Sequence, residues 1–243
     1  MKNRVIVISG ATSGIGLACL HTLAAAGATV VGFGRSESKV QNLRIGLQEE
    51  YGAERVSLSA LDILDTAALE NFVARVVQDH QRIDGVINAA GVLEMSKTHK
   101  VSAESFTAQS GVLFQGTFQL TQFVLAPMLK QKSGLVINLG SVSGNRAAPG
   151  MAVYGAAKAA VQHLTTSLAA EYAAKGIRFL CVNPGPVETA LMEPLMFEML
   201  AKSVPLQRVG QPEEVAGLIR FLFSDDARFM TGSTITMDGG AVL

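Results

Sequence analysis

The sequence predicts an α/β fold of the doubly wound type, a parallel sheet with helices on both faces. Three observations lead there. Short apolar runs rich in β-branched residues alternate with longer segments of helical spacing along the whole chain. A glycine-rich turn follows the first run directly. No Pro/Gly/Ser linker, charge block or internal repeat interrupts the pattern, so residues 1–243 read as one domain.

Taken in order, the strand-like runs are 4–8, 29–33, 55–58, 85–88, 135–139, 179–182 and 233–237. Segments 16–26, 66–80, 106–130 and 152–174 carry helical spacing with many Ala and Leu residues. After the first run comes Ser9-Gly10-Ala11-Thr12-Ser13-Gly14-Ile15-Gly16, which opens the first helix. Glycines at 10, 14 and 16 let that turn tighten and let backbone N–H groups approach a pyrophosphate, with the helix dipole favouring the anion. Segments 106–130 and 152–174 are apolar around most of their circumference, with Phe114, Phe118, Leu125 and Met128 on the first. Such a helix needs a partner beyond the sheet: a second subunit or a covering loop.

The chemistry sits late in the chain. Tyr154 and Lys158 are four residues apart and share a helix face, while Ser141 lies upstream in Leu-Gly-Ser-Val-Ser-Gly. An unperturbed phenol, with a pKa near about 10, is a poor base at neutral pH. An ammonium about 5 Å away, at an effective dielectric of about 20, favours phenolate by roughly 3 kcal/mol, or about two pKa units. A serine hydroxyl beside them holds a carbonyl oxygen while the phenol gives or takes its proton. These are the parts of a carbonyl–alcohol redox site.

Composition narrows the class. The 243 residues are 49% apolar and carry no net charge, which suits a large core and argues against a basic nucleic-acid footprint. Cys19 and Cys181 are far apart and read as buried free thiols of a reducing compartment. His21, His80, His99 and His163 show no metal-ligand spacing, so no metal is expected. Lys2 and Arg4 precede an apolar run too short for a secretion signal, and no stretch approaches the ~20 apolar residues of a membrane span. The expectation is a cytoplasmic protein without membrane or nucleic-acid partners.

The glycine spacing, Asn88-Ala89-Ala90-Gly91, Ser141, Tyr154-x-x-x-Lys158 and Asn183-Pro184-Gly185 stand in the order found in the short-chain dehydrogenase/reductase family. The tail resembles that family too, through Pro205-Leu206, the stretch from Arg208 to Ala216, and Asp238-Gly239-Gly240. The resemblance spans essentially the whole chain. It implies a seven-stranded parallel Rossmann sheet and a homotetramer or homodimer built through the two long helices. It further implies that Gly10, Ser13, Gly14, Ile15 and Gly16 line the cofactor phosphates and that Asp62 and Ile63 contact adenine. Asn88 and Gly91 would flank the ribose, and Pro184, Gly185, Val187 and Thr189 would position the nicotinamide. Tyr154 is the implied proton donor and Ser141 the ligand of the substrate oxygen. Lys158 would hold the nicotinamide ribose and tune the phenol.

Cofactor choice turns on the end of the second strand. An acidic residue there would bind the ribose 2′-hydroxyl of NAD(H). The chain has Gly34, Arg35 and Ser36 instead, and a guanidinium pairs well with a 2′-phosphate. NADP(H) is therefore preferred over NAD(H). In the other use of Arg35, stacking over adenine or facing water, NAD(H) is still accepted.

One position departs from the family. Leu113 stands where the resemblance implies an asparagine that steadies a relay water near the lysine, and 106–122 contains no asparagine at all. Leucine has no hydrogen-bonding group, and Gln109 and Gln115 do not project where residue 113 does. Two readings follow: an active reductase with another relay path, or a nicotinamide-binding protein with little chemistry that serves as a regulatory or structural partner. The intact Ser141, Tyr154 and Lys158 favour the first. The region from Thr189 to about Val204 is the expected lid, with Leu191, Met192, Leu195, Met196, Phe197, Met199 and Leu200. That stripe either adapts to a hydrophobic carbonyl substrate or packs the lid onto the core. A steroid-like or aliphatic ketone, a sugar-derived ketone and a 3-oxoacyl thioester all fit.

Overall fold

The computed structural model describes residues 1–191 and 194–243, with side chains for all of these except 194 and 195. Seven strands form one sheet: β1 (Val5–Ser9), β2 (Thr29–Gly34), β3 (Val56–Ala60), β4 (Gly85–Asn88), β5 (Gly134–Leu139), β6 (Ile177–Pro184) and β7 (Thr234–Met237). Their order is β3-β2-β1-β4-β5-β6-β7, and every neighbouring pair is parallel. Each strand lies within about two residues of its expected position, the usual scatter of element ends.

The strands are apolar on both sides because helices cover both faces. Ile6 and Ile8 join one core with helices α1 (Gly14–Ala25), α2 (Glu37–Tyr51) and α8 (Pro212–Leu222). Val5 and Val7 point the other way, into a core with α3 (Thr66–His80), α5 (Gly116–Gln131) and α6 (Ala152–Tyr172). The order reverses between β1 and β4, so the carboxyl ends of these strands open a crevice where a dinucleotide belongs.

Three helices escaped the periodicity reading: α2, α7 (Pro194–Ser203), expected only as part of the lid, and α8. α2 buries only Val40 and Leu47, a seam too narrow to stand out in a charged segment. α8 begins at Pro212 after Gln211, whose main-chain N–H donates to Glu214 at 2.8 Å, so turn chemistry announces it better than its short apolar stripe. The expected helix 106–130 is real but composite. α4 (Ala103–Ser110) runs through a wide turn of π type, 111–115, into α5, giving a continuous 29-residue helix. By length and composition that helix could cross a membrane, which amends the expectation that no segment comes close. Here Leu120, Val124 and Met128 lie wholly buried against the sheet. Of the apolar residues on this helix, Leu125 and Met128 belong to this core, whereas Phe106, Phe114 and Phe118 are exposed. Both cysteines are free and buried, as expected.

Candidate active site

The turn after β1 is shaped by contacts that only glycine permits. A Cβ at Gly16 would stand 2.2 Å from the Gly10 carbonyl oxygen, and one at Gly10 would stand 2.8 Å from the main chain of Ala89 and Ala90. These two glycines let α1 and β4 close onto the turn. Gly14 has φ +51° and faces the Thr189 side chain across the groove. Ser13 precedes α1 with its hydroxyl making no cap, so the first N–H groups of the helix remain free for an anion. Ile15 packs instead against the core beneath α1.

At the end of β2, a Cβ on Gly34 would meet Thr12 Oγ1 at 2.5 Å. An acidic side chain cannot enter there unless Thr12 moves. Arg35, next in line, is exposed and has no ion-pair partner among the described residues. Asp62 is exposed and accepts from Leu64 N–H at 3.0 Å. Ile63 is buried, its side chain pressed where a Cβ on Gly116 would fall, so it offers the groove its main chain only. Asn88 also turns its side chain inwards: it is buried and donates to Thr121 and Asn138, whereas Gly91 is exposed at the groove.

β5, the turn after it and α6 bring the candidate reacting groups together. Ser141 follows β5, its hydroxyl accepting from Ser143 N–H at 3.1 Å. Tyr154 and Lys158 lie one turn apart on α6, the Lys158 Nζ 5.8 Å from the Tyr154 ring centre. Lys158 is buried and donates to the Leu139 carbonyl at 2.6 Å. Desolvation lowers its pKa to about 8, opposed weakly by Cys181, the thiol beneath it. The phenol does not follow the simple expectation of a depressed pKa. Burial raises it, and a hydrogen bond with Ser141 pulls it partly back. In this arrangement the ammonium is turned towards Leu139, and desolvation outweighs its attraction for a phenolate.

The far wall is the segment after β6. Gly185 sits where a Cβ would come within 2.6 Å of Asp238, whose carboxylate accepts from Gly240 N–H at 2.9 Å. The tail motif therefore acts as a bracket for the 184–189 turn. Pro184 and Val187 are buried, Val187 pairing with Gly210, and Thr189 reaches over Gly14. A cavity of about 930 Å³ opens between α1, 188–191, α7 (Pro194–Ser203) and the start of α8, lined by Gly14, Thr189, Leu191 and Phe197 among others. Of the expected lid, Met192 lies outside the described residues, as does the side chain of Leu195. Met199 is exposed.

Several contributors carried no sequence signal. Gln109, on α4, is buried and accepts from Glu94 N–H at 3.2 Å, so it braces the 92–97 loop instead of replacing the asparagine expected at 113. Gln115 is exposed. Ser96 N–H donates to the Gly150 carbonyl at 2.9 Å, closing that loop onto the segment before Tyr154. Only helix phase and tertiary contact reveal such braces.

Comparisons with known proteins agree with this geometry. Residues 10–242 match the family model described as enoyl-(acyl carrier protein) reductase. A 3-oxoacyl-[acyl-carrier-protein] reductase, FabG, of Thermotoga maritima is 36% identical over 247 residues, covering 100% of this chain and 99% of that one. Oxidoreductase UcpA of Salmonella typhimurium is 32% identical, covering 100% and 96%. Among solved structures, levodione reductase superposes with a TM-score of 0.93 at 30% identity, covering 99% of this chain and 98% of that one.

Proposed function

The chain belongs to the short-chain dehydrogenase/reductase family, nicotinamide-dependent oxidoreductases, and on that premise we propose that it reduces a ketone to a secondary alcohol with NADPH. The carrying observation is the meeting of Ser141 and Tyr154 above a buried, uncompensated Lys158. Two hydroxyl groups converging on one point suit a carbonyl oxygen better than a carbon–carbon double bond. This favours the 3-oxoacyl reductase relatives over the enoyl reductase description of the family model.

The groove suits the cofactor: the Gly10–Gly16 contact makes the cradle, and the free N–H groups of α1 suit its phosphates. NADPH, when bound, supplies the hydride. Ser141 orients the substrate oxygen, and the Tyr154 phenol gives it a proton. The phenolate left behind is stabilised by Lys158, which has two ammonium protons beyond the one given to Leu139. Arg35 beside the side-chain-free Gly34 supports the 2′-phosphate of NADP(H) over NAD(H). The exposed Phe106, Phe114 and Phe118 support a homotetramer or homodimer. Two buried free thiols suit a reducing compartment, which supports the cytoplasm.

The test is oxidation of NADPH and NADH in the presence of 3-oxoacyl thioesters, then aliphatic, steroid-like and sugar-derived ketones. Turnover that disappears in Tyr154→Phe while cofactor binding persists supports the reading. Turnover retained in that variant overturns it.

A further inference from the structure

One level of the sheet is polar. Ser9, Asn88, Asn138, Cys181 and Thr234 are register partners across β1, β4, β5, β6 and β7. At its centre, Asn88 and Asn138 are buried on the face covered by α5 and α6. Asn88 Nδ2 donates to Asn138 Oδ1 at 2.7 Å and to Thr121 Oγ1 at 3.1 Å, and Asn138 Nδ2 donates to Thr165 Oγ1 at 2.9 Å. Each threonine gives its only hydroxyl proton to a carbonyl one turn back in its own helix, Thr165 to Val161 and Thr121 to Thr117, both at 2.8 Å. Thr117 repeats the step to Leu113 at 2.9 Å.

These directions leave both amides one orientation. The two hydroxyls have no proton left, so towards the amides they only accept. Turning Asn88 over would set its oxygen against two acceptors. That accounts for the Asn88 Oδ1 atom, buried without a partner: one bond is left unmade so that two others can form. The result is a ladder whose donors all point away from Asn88, one branch through Thr121 and Thr117 to the turn at Leu113, the other through Asn138 and Thr165 into α6.

Its position relative to the reacting groups is the informative part. Thr165 lies seven residues after Lys158 and eleven after Tyr154, about two and three helical turns, so all three share one face of α6. Asn138 stands three residues before Ser141 at the end of β5. The Asn138 amide therefore joins the strand that presents Ser141 to the helix that presents Tyr154 and Lys158, beside the bonds that Lys158 and Gln162 of α6 give to the Leu139 and Ser141 carbonyls. We propose that Asn138 is a positioning residue, which through Thr165 sets the seat and rotation of α6 against β5 and so the meeting of Ser141 with Tyr154. The proposal rests on the reductase reading of the site. It also gives the Leu113 turn its tether, Thr117, without a side-chain amide at 113.

The test uses Thr165→Val, which keeps the shape and removes the acceptor, with Thr165→Ser as the conservative control. Thr165→Val should lower kcat at least about tenfold, in keeping with the steep cost of small misplacements, with KM for NADPH changed less than about twofold. Thr165→Ser should retain wild-type kcat. Full kcat in Thr165→Val, with only a lower Tm, overturns the proposal. If Thr165→Val does not fold, Thr165→Ala takes its place under the same criteria. Absence of turnover in the wild-type protein with every ketone would defeat the reductase reading alone. The ladder is then decided by 15N NMR titration of the Lys158 amine. A midpoint displaced in Thr165→Val and not in Thr165→Ser supports it, and one displaced in neither overturns it.

Discussion

The Lys158 ammonium and the Leu139 carbonyl meet at 2.6 Å inside the protein, two residues before Ser141, with no carboxylate in an ion pair with that charge among the described residues. Desolvation therefore dominates and holds the amine at a pKa of about 8. The sign of the linkage follows. The folded pKa lies below the ordinary lysine value of 10.5, so the unfolded chain binds more protons between these values and stability rises with pH there. Below about 8 the full penalty applies. Lys158→Met should stabilise the fold at pH 7 by up to about 3 kcal/mol while abolishing turnover, and the gain should shrink as pH rises towards 10. Urea unfolding at several pH values checks it, and a gain independent of pH would contradict it.

The same titration sets a limit on catalysis. Reduction should decline above about pH 8 as the ammonium that supports the phenolate is lost, with an apparent pKa belonging to the Tyr154–Lys158 pair. Lys158→Arg, whatever its absolute rate, should remove that decline because guanidinium stays charged. A pH–rate profile of each variant decides the matter.

Ser141 pulls the phenol pKa down against the effect of burial, and in the proposed reaction it orients the substrate oxygen. Ser141→Ala should cost about 10²-fold or more in kcat, the usual loss for one donor to a developing oxyanion. Fluorescence titration should show NADPH binding nearly unchanged.

In the proposed reading, cofactor choice rests on Gly34 and Arg35. Arg35→Ala should weaken NADPH by about tenfold, the value of one charge-assisted hydrogen bond, and leave NADH within about twofold. Gly34→Asp should not simply convert the enzyme to NADH, because its Cβ would stand 2.5 Å from Thr12 Oγ1. A Tm well below wild type is expected in that variant, partly recovered by adding Thr12→Ala.

Leu113 is buried, and Thr117 already holds its carbonyl. An asparagine there would bury an amide with no partner identified, costing about 1–3 kcal/mol. Leu113→Asn should thus lower stability without raising kcat. A rise in kcat would mean that a relay through this position had been limiting.

How far these features could be read in advance depended on their range. Strands such as Gly85–Asn88, the cradle glycines and the Tyr154–Lys158 spacing are local: steric freedom, apolar runs and one helical turn are written in adjacent residues. α2 was missed because two buried residues make too faint a stripe. Asn88 and Ile63 carry the motif's residue types, yet which way a side chain turns is decided by what lies across the sheet: Thr121 and Asn138 for one, Gly116 for the other.

By itself the sequence determined the alternation of strands and helices, the tight glycine turn and the Tyr154–Lys158 spacing, because each depends on short-range geometry. Only the tertiary structure decided that Lys158 turns to Leu139, that the Tyr154 phenol is raised by burial, and that Asn138 joins β5 to α6. Those outcomes depend on desolvation and on hydrogen-bond partners up to dozens of residues away. A chain read in one dimension has no measure of either.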